Sequence, residues 1–494
     1  MKVLFAASEA TPFVKTGGLA DVIGLLPKAL VKSGKVEVFV ALPKYGCIDP
    51  AGRNIVPTGF GANVPVNGHT EWAEVWRCVE EPNVFFICNP RYFDRPHPYE
   101  ENGWGYPDNA ERFIFFSRAV LEICSKLDFW PDVLHCNDWH TALAPVFLNA
   151  TDYFSASRAR VATVLTVHNA GYQGRFGREQ FWQTGLPSHL LDHSMGLEHG
   201  YGINFLKGGV LYSDAITTVS PRYGEEIKSS PGGSGLENVF SLRADSLFGI
   251  LNGIDMDEWN PATDLYLAQR YNAFDLSGKL SCKRHAQFHL GLPVRDDVPL
   301  IASIMRLSDQ KGIHLVDAVT GALEHTEAQF VLVGAGHPAA EDRARSLAHR
   351  FPTKFSAVVG SPLAYDPSVV HQVEAAADIF ALPSIYEPCG LNQMYSMRYG
   401  AVPVVRATGG LDDTVREYDS LTGEGNGFKF YDPTTAAFGE ALARALYFYR
   451  DRKDDWLRIV RNGMSSNFSW DAAASLYLQL YEYILSRRRI TQVS

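Results

Sequence analysis

The chain has 494 residues, of which 46% are hydrophobic and 20% charged. That is enough apolar material for a large core and two domains or more, and it excludes a disordered chain. The formal net charge is -10 and the longest basic run is Arg487-Arg488-Arg489, which excludes a nucleic-acid surface and leaves any anionic ligand to be met by local cations. The seven cysteines are scattered, odd in number and never spaced as C-x-x-C, so neither a disulfide framework nor a metal site is signalled. A reducing compartment fits. The apolar run at the start stops at Ser8-Glu9, too short for a signal peptide, and no stretch reaches transmembrane length, so a cytoplasmic protein without a membrane partner is expected.

Residues 3–7 read as a buried strand, 8–18 as a glycine-bearing loop, and Leu19, Val22, Ile23, Leu26 and Leu30 as one face of a helix. Within the loop, Lys15-Thr16-Gly17-Gly18 combines a mobile cation with glycines that let backbone approach a ligand. Further strands are expected at 36–42, 84–88, 133–136, 161–167, 215–219 and 247–251. A helix over 112–127 should bury Phe113, Phe116, Val120, Ile123 and Leu127. Strand ends in open α/β sheets line the ligand crevice, which makes Asp138, His140 and His168 site candidates. The stretches 59–72 and 172–201 read as long loops with room for short elements. The pattern weakens over 260–280, as for a crossover between domains.

The second half restarts the rhythm, with strands at 300–305, 330–333, 355–359, 379–382 and 402–405 and a helix at 313–323, giving a doubly wound parallel sheet. Arg306 and Lys311 bracket its first turn, at the station Lys15 holds in the first half; three cations from equivalent loops can serve one diphosphate. Glu387-Pro388-Cys389-Gly390-Leu391 places an acid before one helix, and Gly409-Gly410-Leu411 opens another. Helix starts present N–H groups that suit phosphates or sugar hydroxyls. Gly334-Ala335-Gly336-His337-Pro338-Ala339 matches a dinucleotide fingerprint, but the next strand ends at Gly360 without the acid that would hold a ribose, so no such cofactor is expected. The last helix should follow Ser469-Trp470-Asp471, bury Leu476, Leu480, Tyr483 and Ile484, and pack back on the first domain.

Lys15-Thr16-Gly17-Gly18-Leu19-Ala20-Asp21, Glu387-Pro388-Cys389-Gly390-Leu391 and Gly409-Gly410-Leu411 closely resemble the bacterial glycogen synthase and plant starch synthase family. The resemblance spans nearly the whole chain and takes in Asn137-Asp138-Trp139-His140, Thr166-Val167-His168-Asn169, Asn204-Phe205-Leu206-Lys207, Asn252-Gly253-Ile254-Asp255 and Gln310-Lys311-Gly312, in that order.

The resemblance implies two doubly wound Rossmann-like domains facing a deep cleft, the GT-B type. The first would be residues 1–250, on the glucan acceptor side, joined by the returning helix 466–494; the second would be 251–465, on the nucleotide-sugar donor side. It implies transfer of glucose from ADP-glucose to the non-reducing end of an α-1,4-glucan with retention of configuration, and no cofactor. Lys15, Arg306 and Lys311 would hold the diphosphate beside Gly18 and the backbone of Gly409, Gly410 and Leu411. Glu387 would engage the donor sugar, Asp138, His168 and Asn252 the glucose pocket, and Glu9 and Asp21 the acceptor side. The alternatives are a UDP-glucose-dependent transferase on the same scaffold and a catalytically silent glucan-binding protein; the latter has no need of the diphosphate cations.

Overall fold

The computed structural model describes residues 1–101, 103–158 and 160–493. The chain divides into two compact units, one formed by Met1–Gly253 with Trp470–Ser494, the other by Ile254–Ser469. The patternless stretch 260–280 lies inside the second unit.

The first unit is built on a nine-stranded sheet: β1 (Lys2–Ala6), β2 (Glu37–Pro43), β3 (Ile55–Val66), β4 (His69–Cys78), β5 (Val84–Cys88), β6 (Val133–Asn137), β7 (Ala162–Val167), β8 (Ala215–Thr218) and β9 (Leu247–Gly249), in the order β9-β8-β7-β6-β1-β2-β5-β4-β3. From β9 to β5 every pair is parallel. These strands are near-continuous runs of Val, Ile, Leu, Phe and Ala because helices cover both faces of a parallel sheet. The edge differs from expectation. Residues 59–72 are not a loop but the heart of the antiparallel hairpin β3–β4, which turns at Asn67 (φ 48) and Gly68 (φ 75). An Asn-Gly pair of this kind is the strongest local hairpin signal. Gly59, Gly61 and Pro65 and a break in register between Pro57 and Phe60 hide the alternation. Residues 172–201 hold 3₁₀ turns at Arg178–Thr184 and Ser188–Leu190 and, with Gly202–Asn204, a small three-stranded sheet.

Helix α1 (Gly18–Lys32) buries Leu19, Val22, Ile23, Leu26 and Leu30 as its spacing requires. Helix α2 (Asn109–Lys126) departs from a one-sided reading: Leu127 caps it and is exposed, whereas Arg112, Ile114 and Phe115 are fully buried. A helix enclosed nearly all round carries no single apolar stripe.

The second unit has six parallel strands: β10 (Leu300–Ile304), β11 (Gln329–Gly334), β12 (Phe355–Val359), β13 (Ile379–Leu382), β14 (Val402–Arg406) and β15 (Phe428–Phe430), ordered β12-β11-β10-β13-β14-β15. Around them lie α3 (Pro367–Ala376), α4 (Asn392–Arg398) and α5 (Gly409–Thr414). The helix expected at 313–323 begins as a 3₁₀ turn and becomes α-helical over Asp317–His325. Setting the hairpin aside, both sheets wind outward from their first strand in the same way, with the direction reversing between β1 and β6 in one and β10 and β13 in the other. Ligands of open α/β sheets bind beyond the carboxyl ends of strands at such a reversal. The loops that follow β1, β6, β10 and β13 carry Lys15, Asp138, Lys311 and Glu387.

The final helix α6 (Trp470–Val493) belongs to the first unit. Its buried face is set by Ala473, Ala474, Tyr477, Leu480, Tyr481 and Ile484, while Leu476 and Tyr483 are exposed, contrary to the face expected. The two tyrosines inside, Tyr477 and Tyr481, set the phase. Tyr481 reaches Nδ1 of His135 in β6 at 2.7 Å, and Nε2 of that ring meets Thr166 at 2.6 Å. At either end Lys32 pairs with Asp471 (3.1 Å) and Arg488 with Asp214 (2.8 Å). Among the described residues no helix is long and apolar enough to cross a membrane.

Candidate active site

In the first unit the loop after β1 is held from inside by Glu9. Its buried carboxylate accepts the Thr16 N–H (2.5 Å), the Thr16 hydroxyl (2.6 Å), the Gly17 N–H (3.2 Å) and the Tyr99 hydroxyl (2.6 Å). Both oxygens are thus engaged in shaping the loop. Lys15 stands at its rim with its side chain 54% exposed, 2.7 Å from Asp21. A Cβ on Gly17 or Gly18 would meet nothing within 4 Å, and neither residue has a positive φ. Nothing in the protein's own packing requires glycine there. The space these residues leave is open.

Beyond β6, Asp138 is held at φ 54, a conformation uncommon outside glycine and concentrated at functional sites. Its carboxylate accepts the His168 N–H at 2.7 Å, joining the ends of β6 and β7. Burial pushes this carboxyl up to about 7, against the opposing pull of the His168 and Asn169 N–H groups. Burial also holds His168 down to about 3, so its imidazole is neutral, with Nε2 3.0 Å from Asn137 Oδ1. Asn137 in turn donates to the Ala6 carbonyl at 3.1 Å, fastening β6 to β1 at the reversal point. His140 is buried with Nδ1 unpartnered and stacks on Tyr99, ring centroids 4.6 Å apart. Asn252 is 6% exposed and its buried Oδ1 has no hydrogen-bond partner. A buried polar atom without a partner is a place where a ligand or water fits.

In the second unit the turn after β10 presents Arg306 exposed to solvent and Lys311 half-buried. Gly312 (φ 68) closes the turn, and a Cβ there would lie 2.0 Å from the Pro383 carbonyl oxygen; only glycine lets the loops after β10 and β13 come so close. Lys311 then donates to the buried carboxylate of Glu387, which also accepts the Ser384 hydroxyl at 3.0 Å.

The glycine pair at 409–410 has a different purpose from that at 17–18. A Cβ on Gly409 would strike the Glu387 carbonyl at 1.9 Å, and one on Gly410 the Cys389 carbonyl at 2.1 Å. The Gly410 N–H donates to Glu387 O (3.1 Å) and Pro388 O (3.2 Å), and the Leu411 N–H to Thr408 O (3.1 Å). These two N–H groups, expected to face a ligand, are engaged by the chain, and the Leu411 side chain is core. The 409–411 turn is thereby the wall that shapes the Glu387 loop. The dinucleotide-like glycines have an equally local role: side chains on Gly334 and Gly336 would meet the carbonyls of Met305 and Leu307 at 1.9 and 2.3 Å.

Sequence reasoning missed Tyr99, which joins Ser8 (2.7 Å) and Glu9, and also Ser384 and Gln393. Tyr99 sits in a segment without periodicity, so only the fold reveals it. Gln393 donates to the carbonyls of Cys389 (3.1 Å) and Gly390 (3.0 Å) and to Thr414 (3.1 Å), bracing the start of α4.

Glycogen synthases are similar to this chain in sequence from end to end. A glycogen synthase of Anaeromyxobacter sp. (strain Fw109-5) is 44% identical over 481 residues, 97% of this chain and 99% of that protein. One from Pseudothermotoga lettingae is 42% identical, over 99% of this chain and 100% of its own. The chain belongs to the glycogen synthase family. Within it, residues 2–242 match the starch synthase catalytic domain and 287–454 the glycosyl transferases of group 1, and the protein is accordingly a glycosyltransferase. The solved catalytic domain of starch synthase IV from Arabidopsis thaliana, bound to ADP and acarbose, superposes with a TM-score of 0.87 at 35% identity, over 98% of this chain and 99% of that one. A sucrose-phosphate synthase from Thermosynechococcus elongatus, 18% identical with a TM-score of 0.60, shares the fold alone.

Proposed function

We propose that the protein is a glycogen synthase that transfers glucose from ADP-glucose to the non-reducing end of an α-1,4-glucan with retention of configuration. Identity of 44% along 97% of the chain to a glycogen synthase carries this reading, with the ADP and acarbose of the starch synthase structure indicating donor and acceptor chemistry. In it the second unit holds the nucleotide sugar and the first the glucan. Lys15, Arg306 and Lys311 are assigned to the diphosphate; for Arg306 and Lys15 this is favoured by their exposure. Gly18 leaves room for the phosphates. Glu387 engages the donor glucose, and Asp138, His168 and the unpartnered Oδ1 of Asn252 line its pocket. Asp21 orients Lys15, and Glu9 shapes the loop they share.

The reaction breaks the bond from C1 to the diphosphate oxygen, ADP leaving with the electron pair, while the acceptor hydroxyl attacks from the same face and gives up its proton to the departing diphosphate oxygen. Fixed cations stabilise the charge developing on the departing diphosphate. Glu387 or the His168 backbone carbonyl steadies the oxocarbenium-like sugar, and the neutral His168 ring adds no opposing charge. Incubation of the purified protein with glycogen and either ADP-glucose or UDP-glucose tests the reading. Transfer from ADP-glucose in preference to UDP-glucose is expected; preference for UDP-glucose reassigns the donor, and glucan binding without transfer from either makes the protein a silent binder.

A further inference from the structure

Behind the Glu387 loop lies an aromatic and polar cluster to which the reaction assigns no role. Helix α4 starts directly after the loop and has only seven residues, too few to hold its own direction, and no side chain caps its start. It is fixed from the side. Tyr395 on α4 stacks on Trp259 with ring centroids 3.7 Å apart and planes 12° from parallel, and Trp259 also stacks on His371 of α3 at 4.2 Å and 16°. Asp264 then accepts from His371 Nδ1 (2.7 Å) and from the Tyr399 hydroxyl (2.5 Å) at the end of α4. Tyr271 and Lys279 both donate to the Tyr399 carbonyl, at 2.7 and 2.8 Å. One strap, residues 259–279, thus grips α4 at Tyr395 and at Tyr399.

The two grips differ in kind. That at Tyr399 is a buried hydrogen-bonded network whose loss leaves charges unpaired, and it fastens the far end of the helix. The stack at Tyr395 lies one turn nearer the loop, beside the Gln393 brace that holds the carbonyls of Cys389 and Gly390. Loosening the stack tilts the first turn of α4, and with it the loop that sets Glu387 against Lys311. We propose that Tyr395 is a positioning residue for the transfer reaction, its ring fixed on Trp259 so that α4 holds Glu387 in register with Lys311. This rests on the reading that Glu387 engages the donor sugar.

The experiment compares wild type, Tyr395→Phe and Tyr395→Leu for kcat and KM with ADP-glucose and glycogen, and for ADP affinity by calorimetry. Tyr395→Leu is expected to lose about 10- to 100-fold in kcat with ADP affinity and the KM for glycogen changed less than about threefold; a small misplacement of a reacting group has effects of this size. Tyr395→Phe keeps the ring and is expected to stay within about twofold of wild type. If the Leu variant does not fold, Trp259→Tyr reads the same contact, with a smaller loss in kcat at unchanged ADP affinity. Wild-type kcat in the Leu variant, equal losses in Phe and Leu, or a parallel fall in ADP affinity and kcat would overturn the proposal. An inactive wild type overturns the functional reading instead.

Discussion

Lys311 donates its ammonium to the Glu387 carboxylate, tying the turn after β10 to the loop after β13 at the point where the second sheet reverses its winding. Neither side chain is well solvated, at 19% and 9% exposure, so each is the other's main source of charge compensation. The pair sets a cation and an anion side by side at the carboxyl ends of these strands.

From this pairing Lys311→Met and Glu387→Gln are each expected to lower kcat by about 10²- to 10³-fold, the cost of removing one electrostatic stabiliser. Residues that act as a unit are not additive. The double variant is therefore expected to be no slower than the worse single one in steady-state assays with glycogen.

The two glycine pairs differ in what a side chain would meet, open space at 17–18 and backbone carbonyls at 409–410. Gly18→Ala meets open space within the first turn of α1 and is expected to leave stability unchanged or raise it by up to ~1 kcal/mol, while weakening ADP binding measured by calorimetry. Gly410→Ala drives a methyl group into the Cys389 carbonyl and is expected to lower the unfolding midpoint and activity together.

How far the sequence spoke follows the same division. The parallel strands were legible because burial on both faces writes them as apolar runs, and the loops at their carboxyl ends followed from the winding of the sheet. That reading put Lys15, Asp138, Lys311 and Glu387 on loops at strand ends, and those loops are the ones after β1, β6, β10 and β13. Whether a glycine borders open space, as at Gly18, or a neighbouring carbonyl, as at Gly410, depends on tertiary approach and leaves no mark on local pattern. For the same reason the occupation of the Glu9 carboxylate by Thr16, Gly17 and Tyr99 could not be read from local pattern. The hairpin at Asn67-Gly68 was written in the sequence and obscured by the glycines and proline of β3.

Asp138 gives a pH dependence of defined sign. Its carboxyl is raised to about 7 in the folded protein, so between about pH 4 and 7 the folded state holds a proton that the unfolded chain has released. This group's contribution favours folding at low pH and is lost as pH rises through 7. Asp138→Asn is expected to be more stable than wild type at pH 8, by up to roughly 4 kcal/mol, and to show little difference near pH 4. Urea unfolding at the two pH values checks this, and the same variant is expected to lose transfer activity.

The attachment of α6 rests in part on the Tyr481 hydroxyl at His135, a ring that burial holds neutral at about 3. Tyr481→Phe leaves that nitrogen unpaired and is expected to cost ~1–3 kcal/mol in urea unfolding, with kcat and KM unchanged.

The central claim is best tested by where the glucose goes. The protein is incubated with glycogen and ADP-glucose labelled in the sugar, and the product is digested with an exo-acting hydrolase that cleaves α-1,4 bonds from non-reducing ends, with Glu387→Gln run beside wild type. The account predicts label incorporated by wild type, released early in the digestion, and nearly absent with the variant. Label that resists the hydrolase, or incorporation by Glu387→Gln equal to wild type, would contradict it.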